Sequence, residues 1–392
     1  MYILDFLMGF PKLQTSENTI SFEYRILCSG ELYNSRVLTS DWRKSESSRI
    51  LFDSLFTLIV CSHPFDEYPQ ELALRFSAPL VTEKHGQSTS MFYPDDDIAR
   101  DLAALLTLFC RRLITVAGKV REIHPKQHAN EPAVFQDWPI GLTKSLNPVY
   151  WERKPFTIEH GVDGVRNITD YNPPPCSVDA VNLNKSLANL TQTDLAESLI
   201  LTARLYSVAL QQLEYDVDIA YQLLVAAVET TANKAIDYKP TDEQMIEIKK
   251  SVFVLAKQFG LKEDEARQLA IEACKGISWT SRKFTKFLLD NTNDKLWEND
   301  DDLFKVPARL LPTSENYETV LNNIYTARGK LTHGGYSFPL SSAIGIGPTS
   351  PSRAFTSFDW SSKPFPPVVW FERVVSNALN SFIENSLRPD HA

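Results

Sequence analysis

The sequence predicts an α+β N-terminal module followed by an all-helical C-terminal half, and three observations carry this prediction. Apolar residues alternate with polar ones, as in half-buried strands, between residues 20 and 76. Prolines then recur between residues 122 and 190 and include the run Pro173–Pro174–Pro175. Farther on, helix-start signals and apolar stripes of helical spacing dominate. We therefore expect a mixed α/β module over residues 1–185 and a helical domain over residues 190–390.

Composition indicates an ordinary globular chain of 392 residues, long enough for two or three domains of roughly 100–200 residues each. Hydrophobic residues make up 43% and charged residues 23%, which excludes a disordered or fibrous class. With 40 Lys and Arg against 49 Asp and Glu, the net charge is −9. Bulk charge therefore does not attract nucleic acid, and any RNA contact must come from a local basic patch.

Cysteine usage and the lack of targeting signals in the sequence predict a cytoplasmic protein. The five cysteines are widely separated and form no Cys-x-x-Cys pair, which argues against a disulfide framework. The stretch MYILDFLMGF is apolar but has no Lys or Arg before its apolar run, unlike a signal peptide. No uncharged apolar run of about 18 residues occurs, so we expect no membrane-spanning helix.

Two N-terminal segments have the period-2 pattern of strands with one buried face. In ISFEYRILC that face consists of Ile20, Phe22, Tyr24, Ile26 and Cys28. In ELALRFS it consists of Leu72, Leu74 and Phe76. The segment ILFDSLFTLIVC is apolar nearly throughout, and its periodicity leaves strand and helix both open.

A helix is predicted over IARDLAALLTLFCRRLITVAG, residues 98–118. The acidic residues 95–97 precede it, Arg111 and Arg112 lie in its second half, and Gly118 ends it, an order of charges that suits the helix dipole. We therefore interpret the three aspartates as a helix start and not as a metal cluster.

Seven helices are predicted in the C-terminal half. They cover residues 198–213, 219–235, 242–259, 262–275, 278–290, 317–333 and 368–387. Asp194 with Glu197, and Thr241 with Gln244, resemble capping boxes before the first and third helices. Glycines at 260 and 276 end the third and fourth. The last helix is expected to pack back on the bundle after a long loop over residues 334–367.

The segment NNIYTARGKLTHGG, residues 322–335, is the most informative part of the sequence for function. Arg328 and His333 lie roughly 140° apart around a helix, so one copy would not aim both at one atom. Two copies packed about a two-fold axis would bring each arginine near the other copy's histidine. His333 stands in the last turn before two glycines, where the helix dipole favours a cation.

These two side chains suit cleavage of an RNA phosphodiester without a metal. An imidazole titrates near neutral pH and can act as both general acid and general base. A guanidinium grips a phosphate with two hydrogen bonds and stabilises the negative charge of its transition state. A ribose 2′-OH would then attack its own phosphate.

The stretch ARGKLTHGG resembles the Arg-x4–6-His motif of HEPN domains (higher eukaryotes and prokaryotes nucleotide-binding) and looks closest to their Apea-like branch. Arg328 and His333 are the matching positions, and helix order extends the resemblance over roughly residues 190–388. The resemblance implies a HEPN-like helical bundle that dimerises and cuts RNA with no metal and no cofactor. Members usually carry a polar or acidic residue in an earlier core helix, and Glu229, or alternatively Asn233, is similar in placement. Gly329 departs from the Asn, Asp or His that often follows the arginine in active members.

We therefore predict a metal-independent endoribonuclease that acts as a homodimer. His333 would be the general acid/base, Arg328 the phosphate-binding group and Glu229 the third catalytic residue. The resemblance also implies a toxin or antiviral defence effector, whose N-terminal module would recognise a trigger or regulator. Two alternatives stay open, namely a non-catalytic HEPN dimerisation or binding module with a sensing N-terminal domain, and a toxin that a partner enzyme neutralises by nucleotidyl modification.

Further basic residues are candidates for RNA contact: Lys330, Arg282, Lys283 and Lys286. The last three are interleaved with aromatic residues at 279, 284 and 287, and these residue types suit phosphate contact and base stacking. An amphipathic helix with its aromatics in the core accounts for the same pattern and is the favoured interpretation. His124 and His128 flank a proline without a carboxylate or thiol pattern, so no metal site is predicted.

Overall fold

The structure, a computed structural model, has an antiparallel sheet in the N-terminal part and a mostly helical C-terminal part, so the predicted fold class is confirmed. It describes residues 19–28, 32–34, 50–53, 56–60, 70–79, 81–85, 88–92, 94–123, 156–161, 164–170, 176–191, 195–213, 216–297, 312–335, 338, 365–366 and 368–385. The strands are β1 (Thr19–Cys28), β2 (Leu32–Asn34), β3 (Ile50–Asp53), β4 (Thr57–Val60), β5 (Gln70–Pro79), β6 (Val81–His85), β7 (Ser88–Phe92), β8 (Ile114–Ile123), β9 (Phe156–Gly161), β10 (Gly164–Asp170) and β11 (Cys176–Val178). The helices are α1 (Asp95–Cys110), α2 (Ala180–Thr191), α3 (Ala196–Gln212), α4 (Val217–Ala235), α5 (Asp242–Ile248), α6 (Lys250–Gln258), α7 (Glu263–Glu272), α8 (Thr280–Asn291), α9 (Tyr317–Gly334) and α10 (Val368–Asn385).

The main sheet has five antiparallel strands in the order β3–β4–β5–β1–β8. The predicted apolar face of β1 is buried, since Phe22, Tyr24, Ile26 and Cys28 are fully covered. The prediction of only one buried face is wrong, because Glu23, Arg25 and Leu27 on the other face are buried as well. Phe22 lies opposite Phe76 of β5, so the two strands direct their apolar side chains into one core. The ambiguous segment ILFDSLFTLIVC forms β3 and β4, which pair with each other.

Helix α1 begins at the acidic residues 95–97, which form its first turn, and it ends at Cys110 and not at the predicted residue 118. Arg111 adopts a left-handed conformation with φ +49°, and the chain then continues as β8. The prediction of a helix through Gly118 is wrong because Ile114, Thr115 and Val116 pair with β1, a strand distant in the sequence. All three of these residues are β-branched, which favours strands.

Two aspartates in the first turn of α1 contact polar side chains of the strands β1 and β8. Tyr24 of β1 donates a hydrogen bond to each of Asp95 and Asp96, and Lys119 Nζ lies 2.8 Å from Asp95 Oδ2. Burial, followed by the hydrogen bond to Asp95, raises the pKa of Tyr24 far above its ordinary value. These carboxylates therefore have a structural role, as the interpretation of a helix start predicts.

Three two-stranded pairs accompany the main sheet: β6 with β7 and β9 with β10 are antiparallel, and β2 with β11 is parallel. Helix α2, which the sequence reading does not predict, spans the expected domain boundary near residue 185. Its Leu183, Leu187 and Leu190 belong to one buried apolar cluster that also contains residues of the sheet and of the bundle. The division into two domains stays a prediction.

The predicted C-terminal helices are found in order, with two differences in detail. The predicted third helix is two helices, α5 and α6, which meet at Lys249. Its capping box is confirmed, since Thr241 Oγ1 accepts from Gln244 N at 3.3 Å and Gln244 Oε1 accepts from Thr241 N at 3.0 Å. Helix α3 has Leu195 as its N-cap with no side-chain cap bond, and Asp194 lies outside the described residues.

Helix α10 packs into the centre of the bundle, as predicted. Trp370, Phe371 and Val374 are buried in it, and the Phe371 ring stacks on Tyr221 of α4 with ring centroids 5.5 Å apart. None of the helices in the described part of the chain is long and apolar enough to cross a membrane.

Helices α5, α6 and α7 form a small three-helix segment beside the bundle. Its buried side chains are small, namely Ala256, Ala266, Ala270 and Cys274, and they lie outside the main apolar cluster. Large apolar residues face solvent there, with Phe259 82% exposed. This segment is therefore held by far less apolar burial than the bundle it interrupts.

A buried ion pair joins the sheet part to the bundle. Glu372 of α10 is fully buried and accepts from Arg111 Nη2 at 2.7 Å and from the hydroxyl of Tyr206. A second contact between the two parts is the ion pair of Arg204 in α3 with Asp101 in α1. Because a buried carboxylate without its cation is costly, these contacts favour a single relative placement of the two parts.

Candidate active site at one end of the helical bundle

Three helix ends meet at one end of the bundle: the C-terminal turns of α4 and α9 and the N-terminal turn of α8. Thr285 of α8 donates to Asn322 of α9 at 3.1 Å, and farther along α8, Thr292 hydrogen-bonds Tyr317 near the start of α9 at 2.7 Å. These two contacts run in opposite directions along the chain, so α8 and α9 are antiparallel. The last turns of α9 therefore lie beside the first turn of α8.

The end of α4 lies at the same place. Lys283 Nζ of α8 donates to the backbone carbonyl of Asn233 at 3.1 Å, where α4 leaves its last carbonyl groups unpaired. Phe284, the next residue of α8, contacts Tyr325 of α9 with ring centroids 5.2 Å apart. Residues from the last turns of α4 and α9 and the first turn of α8 are thus within reach of one ligand.

Helix α9 carries the Arg-His motif of the sequence and ends where the two glycines predict. Its buried face consists of Tyr317, Val320, Leu321 and Ile324, at helical spacing. Gly335 has φ +66°, which glycine adopts readily, and its N–H reaches Leu331 O at 3.1 Å. His333 lies in the last turn and is exposed.

Arg328 is held by Glu229, a carboxylate that the sequence reading also singled out. Arg328 Nη2 lies 2.9 Å from Glu229 Oε2, and the hydroxyl of Tyr325 donates to Glu229 Oε1 at 2.7 Å. Glu229 is buried, whereas 24% of the Arg328 side chain is exposed. Both carboxylate oxygens are therefore occupied by α9, and Glu229 acts here as an orienting group for Arg328.

Two further features mark this cluster. Burial, and then the hydrogen bond to Glu229, raises the pKa of Tyr325 well above its ordinary value, so the hydroxyl stays a donor at neutral pH. Arg328 Nε is buried and has no hydrogen-bond partner among the described residues. A buried donor without a partner costs about 1–3 kcal/mol, and a catalytic role or a bound ion is among the explanations for such a group. The sequence places Tyr325 in the same motif, three residues before Arg328 and on the same helix face, but Tyr325 is not among the predicted site residues.

Arg328 and His333 point differently within one chain. Arg328 turns inward to α4, whereas His333 is exposed beyond it in the last turn. This divergence agrees with the angular separation expected from five residues of helix. Among the described residues, no hydrogen bond joins Arg328 to His333 of the same chain.

The predicted RNA-binding residues divide into two groups. Lys330, Arg282 and Lys283 lie at the end of the bundle that holds Arg328. Lys286 pairs with Asp290 at 2.8 Å along the exposed face of α8. The aromatic residues Phe284 and Phe287 are fully buried, as the interpretation of an amphipathic helix predicts.

An aromatic pair at the same end was not predicted as a pair. Trp279, the N-cap of α8, contacts Tyr238, which follows α4, with ring centroids 5.9 Å apart. Both side chains are half-buried. Trp279 has φ +56°, a left-handed conformation that is strained for a bulky side chain. The sequence pattern contains Trp279 as an aromatic residue three positions before Arg282. Its contact with Tyr238 joins the chain just before the segment α5–α7 to the chain just after it.

Two remaining predictions concern Gly329 and metals. Gly329 lies within α9, and a Cβ added there would meet nothing within 4 Å. In the part of the chain that the structure describes, no group of three or more His, Cys, Asp or Glu side chains is placed to hold a metal ion. His124 and His128, and most of the predicted loop 334–367, lie outside the described residues.

Comparisons with known proteins leave the geometry as the basis for function. No protein-family model, no curated protein and no solved structure matches this chain.

Proposed function

We propose that the protein is a metal-independent endoribonuclease of HEPN type that acts as a homodimer. The observation that carries the proposal is the fixing of Arg328 on buried Glu229, with exposed His333 in the last turn of the same helix. Such a site offers a preorganised cation and an imidazole at one end of a bundle. The resemblance further implies a toxin or antiviral defence effector in the cytoplasm, in which the N-terminal module responds to a trigger or regulator.

The proposed reaction is an internal transfer at phosphorus. His333 accepts the proton of a ribose 2′-OH, the 2′ oxygen forms a bond to the adjacent phosphorus, and the bond from phosphorus to the 5′ oxygen breaks. The leaving 5′ oxygen takes that proton from the imidazolium of His333, so the products are a 2′,3′-cyclic phosphate and a 5′-hydroxyl. Arg328 binds the non-bridging oxygens and stabilises the charge that develops on them.

A dimer follows from the divergence of Arg328 and His333 in one chain. An isologous contact about a two-fold axis between the ends of two α9 helices would place Arg328 of one copy beside His333 of the other. Two equivalent composite sites would result. Glu229 would then be a positioning residue, which keeps Arg328 directed toward the partner copy.

The first test compares the parent protein with Arg328→Ala and His333→Ala on bulk RNA in the presence of EDTA. Arg267→Ala is the matched control, because it removes an arginine from an exposed ion pair on α7. We expect cleavage by the parent and the control only, with cyclic phosphate at the new ends. Cleavage by both site variants would place the active site elsewhere.

A mixing experiment tests the composite site. In a mixed dimer of Arg328→Ala with His333→Ala, one site lacks both groups and the other retains both. A mixed dimer should therefore have about half of the activity of the parent, and an equal mixture that pairs at random, in which about half of the dimers are mixed, should recover about one quarter. No recovery, in mixtures shown to form mixed dimers, would contradict a site shared between two copies.

A non-catalytic binding module is the second candidate, because a specific observation favours it. The segment α5–α7 exposes Phe259, Leu255 and Ile248, an amount of apolar surface that is unusual for so small a unit. In this alternative the Arg328–Glu229 pair only stabilises the bundle. A parent protein that cleaves no RNA, whereas Phe259→Ala loses a protein partner, would favour this candidate.

A further inference from the structure

We infer that Tyr238 and Trp279 form a subsite that stacks on an unpaired nucleobase of the RNA beside the cleavage site. The inference rests on the proposed function, and it adds a position that reads single-stranded substrate. It is carried by four features of the described residues: the aromatic contact, its exposure, its backbone conformation and the cations around it.

Hydrogen bonds fix both residues of the aromatic contact, through the hydroxyl of Tyr238 and through the backbone carbonyl of Trp279. The ring centroids of Tyr238 and Trp279 are 5.9 Å apart and the ring planes are inclined by 35°. The hydroxyl of Tyr238 donates to Gln244 Oε1 at 3.2 Å, and Gln244 belongs to the capping box of α5. The carbonyl of Trp279 accepts from the N–H groups of Arg282 and Lys283, each at 3.0 Å. Rings that are fixed in this way lose little side-chain entropy when a base stacks on them.

Neither ring belongs to the main apolar cluster of the protein. Both are half-buried, whereas Phe284 and Phe287 in the same helix are fully buried. Trp279 also keeps a left-handed backbone, which is costly for a tryptophan. Strained backbone positions of this kind are concentrated at active sites and ligand-binding sites.

The surrounding charge suits a nucleic acid. Arg282 is exposed and follows Trp279 by three residues, one turn along α8, and no ion pair to it occurs among the described residues. Lys234 in the last turn of α4 and Lys330 in α9 are exposed at the same end. On a chain with net charge −9 this local group of cations favours a phosphate backbone.

The subsite lies close to the proposed active site. Phe284, five residues after Trp279, contacts Tyr325, which donates to Glu229 beside Arg328. Five residues of helix span about 7.5 Å, so the aromatic pair and Arg328 lie within a few nucleotides of one strand. Sequence-tolerant stacking of this kind is typical of proteins that bind single-stranded nucleic acid.

The test measures binding of a short single-stranded RNA by the full-length protein in a His333→Ala background, which removes cleavage. We expect Tyr238→Ala and Trp279→Ala each to weaken binding by about 5- to 100-fold, the range of one lost stacking contact. Trp279→Phe keeps an aromatic ring and should restore most of the affinity. Leu201→Ala is the control, since it removes an exposed apolar side chain of α3 outside the subsite.

A double-stranded RNA of the same sequence is the second probe, because its bases are already stacked within the duplex. We expect the two alanine variants and their parent to bind the duplex equally. Equal binding of the single strand by the parent and Trp279→Ala, both folded by circular dichroism, would overturn the subsite and leave the proposed function standing. A parent protein that neither binds nor cleaves any RNA would overturn the proposed function and the subsite together.

Discussion

Arg328 of α9 and Glu229 of α4 form an ion pair with Nη2 and Oε2 2.9 Å apart, and the second oxygen of Glu229 accepts from Tyr325 one turn earlier in α9. Glu229 is buried and Arg328 is mostly covered. The pair therefore both attaches α9 to α4 and orients the guanidinium. Substitutions that separate these two effects give the most direct information on the site.

Glu229→Gln removes the charge while it keeps the size and one hydrogen-bond acceptor. We expect it to lower the free energy of unfolding by about 1–3 kcal/mol, because Arg328 loses its counter-charge. We also expect RNA cleavage to fall by more than RNA binding, because the guanidinium is no longer held in place. Urea unfolding and a separation of kcat from KM measure the two effects.

Glu243→Gln is the matched control for this substitution, since it breaks an exposed ion pair with Arg267. No measurable change is expected for it. Unchanged cleavage in a folded Glu229→Gln variant would remove Glu229 from the positioning role.

Gly329→Ala tests the residue at which the motif departs from the active members it resembles. A Cβ at this position meets nothing within 4 Å, and alanine is a better helix former than glycine. We expect the free energy of unfolding to rise by about 0.5–1 kcal/mol, measured by urea unfolding. A fall in stability that appears only at concentrations where the protein is dimeric would show that residue 329 faces the second copy.

Arg111→Ala tests the connection between the sheet part and the bundle. The substitution leaves Glu372 buried without its cation, and only 24% of the Arg111 side chain is exposed. We expect a loss of about 2–4 kcal/mol in the free energy of unfolding, typical of a broken buried pair. Adding Glu372→Gln should recover part of the loss, because the unpaired charge is then gone.

Lys250→Ala, which breaks an exposed pair with Glu247, serves as the control for Arg111→Ala. It is expected to leave unfolding unchanged. An Arg111→Ala variant as stable as this control would mean that Tyr206 alone suffices to keep Glu372 buried.

Alkaline pH should unfold the protein through its buried tyrosines. Burial raises the pKa of Tyr206, Tyr221 and Tyr317, so the folded protein keeps their protons where the unfolded chain releases them. A free tyrosine titrates near pH 10. The contribution of these three tyrosines to the free energy of unfolding is therefore constant below about this pH and falls as the pH rises through it. Ultraviolet absorbance of tyrosinate should appear in the same step as the loss of helical circular dichroism. Ionisation of these residues with full helicity retained would contradict their burial.

Local sequence patterns predicted those elements whose chemistry is local. The alternation in β1, the capping box of Thr241 and the glycine end of α9 each depend on residues that are close in the sequence. The error at α1 has the opposite origin, because Ile114–Ile123 becomes a strand by pairing with β1 about ninety residues away, a partner that a local window does not contain. Helix α2 was not predicted because the prolines that precede it indicated a segment without long helices.

The candidate site was predictable only in part for a similar reason. Arg328 and His333 share a short motif, and Glu229 was suggested by its place in an earlier helix. Tyr238 and Trp279 are about forty residues apart in the sequence, and their contact depends on the path of the chain through the segment α5–α7. Local sequence periodicity does not predict a contact between residues on either side of three helices, so this pair is found only in the structure.

The Arg111–Glu372 pair has a consequence for how a signal could travel through the protein. Phe371, next to Glu372 in α10, contacts Phe284 of α8 with ring centroids 6.4 Å apart, and Phe284 contacts Tyr325 at 5.2 Å. The backbone of α10 joins Glu372 to Phe371, and packed rings then lead from Phe371 to Tyr325, which donates to Glu229. We expect that a ligand that displaces β8 also displaces α10 through the Arg111–Glu372 pair. The guanidinium of Arg328 would then shift while the sheet part and the bundle stay in contact.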